Sequence, residues 1–179
     1  MDAEELNRRY VAGERDFREV DLRGASLEGA CLEYSDFSGA NLTGVNLHDA
    51  NLEGVNFSHA NLTEASLRKA NLGEANFYGA SLVKARLSGA LISSHQGSPE
   101  GLERANFSEA NLSNATFSYS SLNGTSFRWA NLSGANFEQC TVVDVGVDFS
   151  EANLEGATFV RARLRGSNFR FGQSQKRAS

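Results

Sequence analysis

The sequence predicts an all-β solenoid wound from five-residue units, and three observations carry that prediction. Large apolar residues recur at a fixed interval of five, from Phe17, Leu22, Leu27 and Leu32 through Phe37, Leu42 and Leu47 to Phe77, Leu82 and Leu87. Two positions before each stands a small residue, mostly alanine, as at Ala40, Ala50, Ala60, Ala70 and Ala80. Between the two lies a polar residue, usually asparagine or serine. An interval of five fits neither the 3.6 period of a helix nor the alternation of a long strand. It fits a short strand closed by a tight turn, with the small and the large residue facing inward. Glycine at the second corner position, as at Gly24, Gly29, Gly39 and Gly44, suits a turn that needs positive φ.

Phenylalanine sets the higher period. Phe17, Phe37, Phe57 and Phe77 recur at every fourth unit, so four units make one coil and the rings should stack in a column. Blocks such as Ala40-Asn41-Leu42-Thr43-Gly44 and Ala60-Asn61-Leu62-Thr63-Glu64 show the unit plainly. This pattern resembles the pentapeptide-repeat family, whose consensus is A-(D/N)-L-x-x, and the resemblance covers roughly residues 15–170. It implies a right-handed quadrilateral β-helix, here of about seven coils. At ~4.8 Å per stacked strand the solenoid should stand roughly 35 Å tall. The opening, from Asn7-Arg8-Arg9-Tyr10 to Asp16-Phe17, is similar to that of many cyanobacterial members.

The organisation along the chain follows from where the repeat starts, fails and resumes. Residues 1–13 read as a short capping helix over the open end of the solenoid, with Asp2 as N-cap, Glu5 three positions on, and Gly13 as a stop. Residues 14–92 form the first part of the solenoid. The pattern is lost over residues 93–104, where Gly97, Ser98, Pro99, Glu100 and Gly101 argue for an extruded loop. That loop reads either as an insertion or as a junction between two arrays. Repeats resume over residues 105–170, with phenylalanine now at every second unit, which places rings on opposite sides of each coil. A spacing of seven after Val142 predicts a bulge at residues 144–146. Residues 171–179 are a polar tail.

Hydrophobic residues make up 40% of the chain, and many are alanine, which suits a stack that buries each unit on its neighbours. The first residues are charged and lack an apolar run, no stretch approaches a membrane span, and Cys31 and Cys140 form no framework. The expectation is a cytoplasmic protein with no membrane contact. His48, His59 and His95 neither cluster nor meet a cysteine, so no metal site is expected. Serines are ordinary corner residues on a side-chain-filled prism, and no GxxxxGK loop occurs. No catalytic residue, cofactor or small-molecule substrate is therefore expected.

Charge leaves one candidate surface. Net charge is −5, and residues 24–67 carry Glu28, Glu33, Asp36, Asp49, Glu53 and Glu64 without a lysine or arginine. Asp16, Glu33, Asp36, Glu53 and Glu74 fall near one edge of the prism and are the candidate partner-binding residues. Near the other end Arg161, Arg163, Arg165 and Arg170 occur with no acid among them. The expected function is a non-enzymatic scaffold or protein-binding surface with no direct nucleic-acid contact and weak homodimer formation through the C-terminal coil. The family resemblance implies an alternative, since some members mimic DNA and bind type II topoisomerase (gyrase). Duplex DNA carries about 20 charges over ~35 Å, well above what this chain offers.

Overall fold

The computed structural model describes residues 1–90, 105–143 and 145–170. The predicted loop at residues 93–104, the polar tail at residues 171–179 and Asp144 of the predicted bulge lie outside them.

Each five-residue unit is held by the same local bonds. The N–H of the small residue donates to the carbonyl of the preceding large one, as Ala40 to Phe37 at 3.0 Å and Ala60 to Phe57 at 3.0 Å. That closes a β-turn whose third residue has positive φ, the signature of a type II turn. Glycine fits there, as at Gly44 (φ 67°), yet the same conformation is held by Asp49 (φ 60°), Glu64 (φ 60°), Lys69 (φ 58°) and Trp129 (φ 56°). Coil stacking overrides local preference at those corners. The polar residue has its own role. Asn56 Oδ1 accepts the Ser58 N–H at 3.1 Å and Asn61 Oδ1 the Thr63 N–H at 3.1 Å, so the side chain caps the backbone two residues on. This accounts for the preference for asparagine or aspartate before the large residue.

Coils pair in parallel at a separation of 20 residues, as in Asp16↔Asp36↔Asn56↔Asn76. The pairing closes four faces, numbered here from the one centred on Phe17. The N–H of each large residue donates down to the next coil, as Phe57 to the Asn76 carbonyl at 2.7 Å, and the N–H of the polar residue before it donates up, as Asn56 to the Ser35 carbonyl at 2.9 Å. Asparagine amides add a second ladder outside the backbone, with Asn76 donating to Asn56 Oδ1 at 3.1 Å and Asn71 to Asn51 Oδ1 at 3.0 Å.

The inward positions fill the prism completely. Ala40, Ala60, Ala75, Leu62, Leu82 and Phe77 are 0–1% exposed. Phe17, Phe37, Phe57, Phe77, Phe107, Phe127, Phe149 and Phe169 form one stacked column on the first face, with centroids 4.5–5.7 Å apart. From Phe117 a second column, Phe117–Phe137–Phe159, rises on the third face and meets the first edge to face. Two register changes are absorbed without breaking the stack. The offset becomes 30 where Asn76 pairs with Asn106, and 22 where Ser126 pairs with Asp148, and it returns to 20 at Asp148↔Asn168.

The first coil is covered by helix α1, Ala3–Val11, whose Leu6 is fully buried. Asp2 caps it by accepting the Glu5 N–H at 2.8 Å. The Arg15 guanidinium lies 3.7 Å from the Tyr10 ring centroid, and the Tyr10 hydroxyl donates to Glu33 at 2.9 Å. Together these tie the helix to the side of the first coil, at its last unit.

Candidate functional site

The five candidate acids sit on the upper prism, and four of them have partners that the structure identifies. Glu33 accepts from Tyr10 and also from the Asn51 amide. Glu53 accepts from the Tyr34 hydroxyl at 3.1 Å and from Asn71 at 3.3 Å. Asp36 caps the Ser38 N–H at 2.9 Å and accepts from Asn56 at 3.0 Å. Asp16 pairs with Arg18 at 2.6 Å, and that guanidinium pulls its pKa down to about 2. Glu74 stands on the same corner as Tyr34 and Gly54, at φ 57°, and it too is engaged.

The wider acidic surface follows the same rule. Asp21 pairs with Arg23, Glu28 accepts from Asn46, and Glu64 meets Lys84 at 3.4 Å. Much of the negative charge therefore serves to fasten one coil, or the cap, to the next. The sequence signal for this was available: Asn51 and Asn71 lie 18 positions after Glu33 and Glu53, just short of one full coil.

Chemistry-bearing side chains remain scattered. His48 Nδ1 is 3.0 Å from the Arg68 carbonyl, and His59 lies edge-on to Tyr78. Cys31 is exposed, whereas Cys140 is buried with its Sγ 3.0 Å from the Phe117 carbonyl, and burial pushes its thiol up to about 12. Among the described residues no group of three His, Cys, Asp or Glu side chains gathers, and no helix is long and apolar enough to cross a membrane.

One surface feature was missed by the sequence reading. A groove of about 460 Å³ runs between the corner of the third and fourth faces and the fourth face itself, lined by Gln139, Thr141, Arg161, Ala162 and Arg163. Exposed aromatics also mark corners, with Tyr119 63% and Trp129 53% exposed. Repeat counting assigns each of these residues a column but does not say which column lacks an internal partner.

The sequence motif described as pentapeptide repeats (8 copies) matches residues 21–58 and 56–93, and that of a pentapeptide repeat region matches residues 101–171. The chain belongs to the pentapeptide repeat family. Its fold is accordingly the right-handed quadrilateral β-helix. Similar solved structures include HetL from Nostoc sp. strain PCC 7120, a pentapeptide repeat protein involved in heterocyst differentiation regulation. It is 26% identical, with 93% of this chain and 94% of HetL covered and a TM-score of 0.38. Rfr23 from Cyanothece 51142 is 23% identical, with 92% and 98% covered and a TM-score of 0.41. A trypsin-treated form of QnrB1, a plasmid-mediated fluoroquinolone resistance protein, is 19% identical, with 90% and 89% covered and a TM-score of 0.39. No curated protein matches the sequence significantly.

Proposed function

We propose that this pentapeptide repeat protein is a non-enzymatic binding module that presents rigid faces and corners to a protein partner. One observation carries the reading: the interior is filled by stacked phenylalanine, leucine and alanine side chains. Binding then falls to the outer surface, whose side chains are held at fixed columns by the coil pitch. A surface positioned in this way loses little conformational freedom on binding.

The DNA-mimic alternative fits less well. A mimic needs dense, unneutralised negative charge, and Asp16, Asp21 and Glu64 are each paired with a cation. Weak self-association through the last coil is a finer part of the proposal, because Phe169 is 37% exposed there and Phe159 and Leu164 are only partly buried.

Photo-crosslinking residues placed singly at Ser108, Ser113, Glu138 and Thr141 sample the four faces in turn. A protein captured repeatedly from one face, and not from its opposite, is the expected result. Capture spread evenly over all four, or none from any, would sink the reading.

A further inference from the structure

We propose that the groove at the corner of the third and fourth faces is an anion-reading site that receives an acidic segment of a protein partner. The proposal rests on the protein-binding reading above and narrows it to one surface and one chemistry.

The charged residues of the molecule divide by whether they are used. Most acids of the upper coils are bonded to arginine, lysine, tyrosine or asparagine, as described above. The arginines of the last coils are different. Arg161, Arg163, Arg165 and Arg170 are exposed, and none lies within ion-pair distance of an acid among the described residues. An acidic protein that keeps four such arginines unpaired on its surface presents a positive patch against its own net charge.

Two of the four line a shaped surface. Arg161 stands at the corner below Gln139 and Tyr119, and Arg163 lies below Thr141 on the fourth face, with Ala162 as the floor between them. Arg161 is fixed in the left-handed region at φ 57°, which sets the direction in which its side chain leaves the corner. Gln139 is held from above by its bond to the Tyr119 hydroxyl at 3.0 Å. The groove thus offers two guanidinium forks on either side, with an amide and a hydroxyl above them. Guanidinium forks match carboxylate oxygens in pairs, and the neutral donors orient the group. Under this floor the core is rigid, with Cys140 and Phe137 fully buried.

The occupant that fits is a short carboxylate-bearing polypeptide. A duplex would have to extend beyond the patch, where Glu138 next to Gln139 and Glu155 at the corner of the second and third faces repel a continuous phosphate array. A short acidic segment meets the arginines and stops.

The test uses the full chain and a short fluorescein-labelled peptide of alternating glutamate and glycine, read by fluorescence anisotropy. The wild-type protein should bind it, and added salt should weaken binding. Arg161→Gln together with Arg163→Gln should weaken it by about tenfold or more, with melting temperature unchanged. Arg68→Gln, an exposed arginine on the upper third face, should leave it as it was. Unchanged binding in the double variant, absence of binding in the wild type, or equal competition by inorganic phosphate or by duplex DNA of matching charge overturns the proposal. The two readings fail separately. A crosslinked partner retained by the double variant keeps the binding module and removes the groove from it.

Discussion

The Phe77 and Phe107 rings lie 4.5 Å apart and 5° from parallel, although 30 positions separate their flanking Asn76 and Asn106. Elsewhere the same column is built from rings 20 positions apart, as between Phe57 and Phe77, or 22 apart, between Phe127 and Phe149. The column therefore keeps its ring spacing across a sequence offset ten residues longer than the usual coil.

Removing ten residues between Ala90 and Ala105 should accordingly restore the ordinary period and leave stability almost unchanged. Phe107→Ala should cost about 3–5 kcal/mol, because it opens a hole between two stacked rings in a fully buried column. Urea unfolding followed by circular dichroism separates the two. If the deletion lowers stability as much as Phe107→Ala does, the segment is part of the stack.

The second register change rests on a glycine. A Cβ on Gly146 would come within 2.0 Å of the Gly166 carbonyl oxygen, a backbone atom with no freedom to turn aside. Gly24 also sits at a corner, at φ +65°, but a Cβ there would meet nothing within 4 Å. Gly146→Ala should therefore destabilise by about 3 kcal/mol or more. Gly24→Ala should cost only the left-handed penalty of about 1–2 kcal/mol. Denaturation midpoints in the reverse order would show that the bulge can relax.

The repeat itself was legible because its large inward residues recur at five without exception over most of the chain, from Phe17 to Leu87 and again from Phe107 to Val142. The later column was harder to read. Phe127 rejoins the line begun by Phe17 only when ten residues are left out of the count, and Phe149 and Phe169 only when a further two are. The use of the acids was not legible from charge alone. Glu33 looks like one of a row of exposed carboxylates, yet it holds α1 through Tyr10 and the next coil through Asn51. The groove escaped for a related reason. Arg161 and Arg163 read as a basic stretch, and only the coil geometry sets them on two sides of Ala162 beneath Gln139 and Thr141.

Acid should loosen the first coil by a defined route. Asp16 and Asp21 have pKa values lowered from 3.8 to about 2 by hydrogen bonds from Arg18 and Arg23. A carboxylate depressed in the folded state contributes stability above its unfolded value and loses it as pH falls toward the folded one. The window is therefore between about pH 4 and pH 2. Both pairs are exposed, so the effect at neutral pH should be slight. Asp16→Asn combined with Asp21→Asn should flatten this part of a plot of melting temperature against pH. The same acid slope in wild type and double variant would mean that the two pairs do not matter to folding.

DNA mimicry makes a prediction that the pairing of the acids opposes. A mimic of ~35 Å of duplex must offer about 20 charges, and the whole chain carries a net −5. Asp16 and Asp21 are bound to arginines within their own units, and Glu33 and Glu53 to the cap, Asn51, Tyr34 and Asn71. A topoisomerase surface would have to displace those bonds before meeting the carboxylates. Purified protein should therefore leave gyrase supercoiling unchanged at micromolar concentration. The control variant must avoid Glu33, whose reversal would also release α1. Asp49→Lys is the better choice, because Asp49 is an exposed corner residue in the middle of the acidic stretch. Inhibition that fades steeply with added salt, and that Asp49→Lys abolishes at unchanged melting temperature, would reverse this ranking. Inhibition untouched by Asp49→Lys but lost with Arg161→Gln and Arg163→Gln would place the contact in the arginine groove instead.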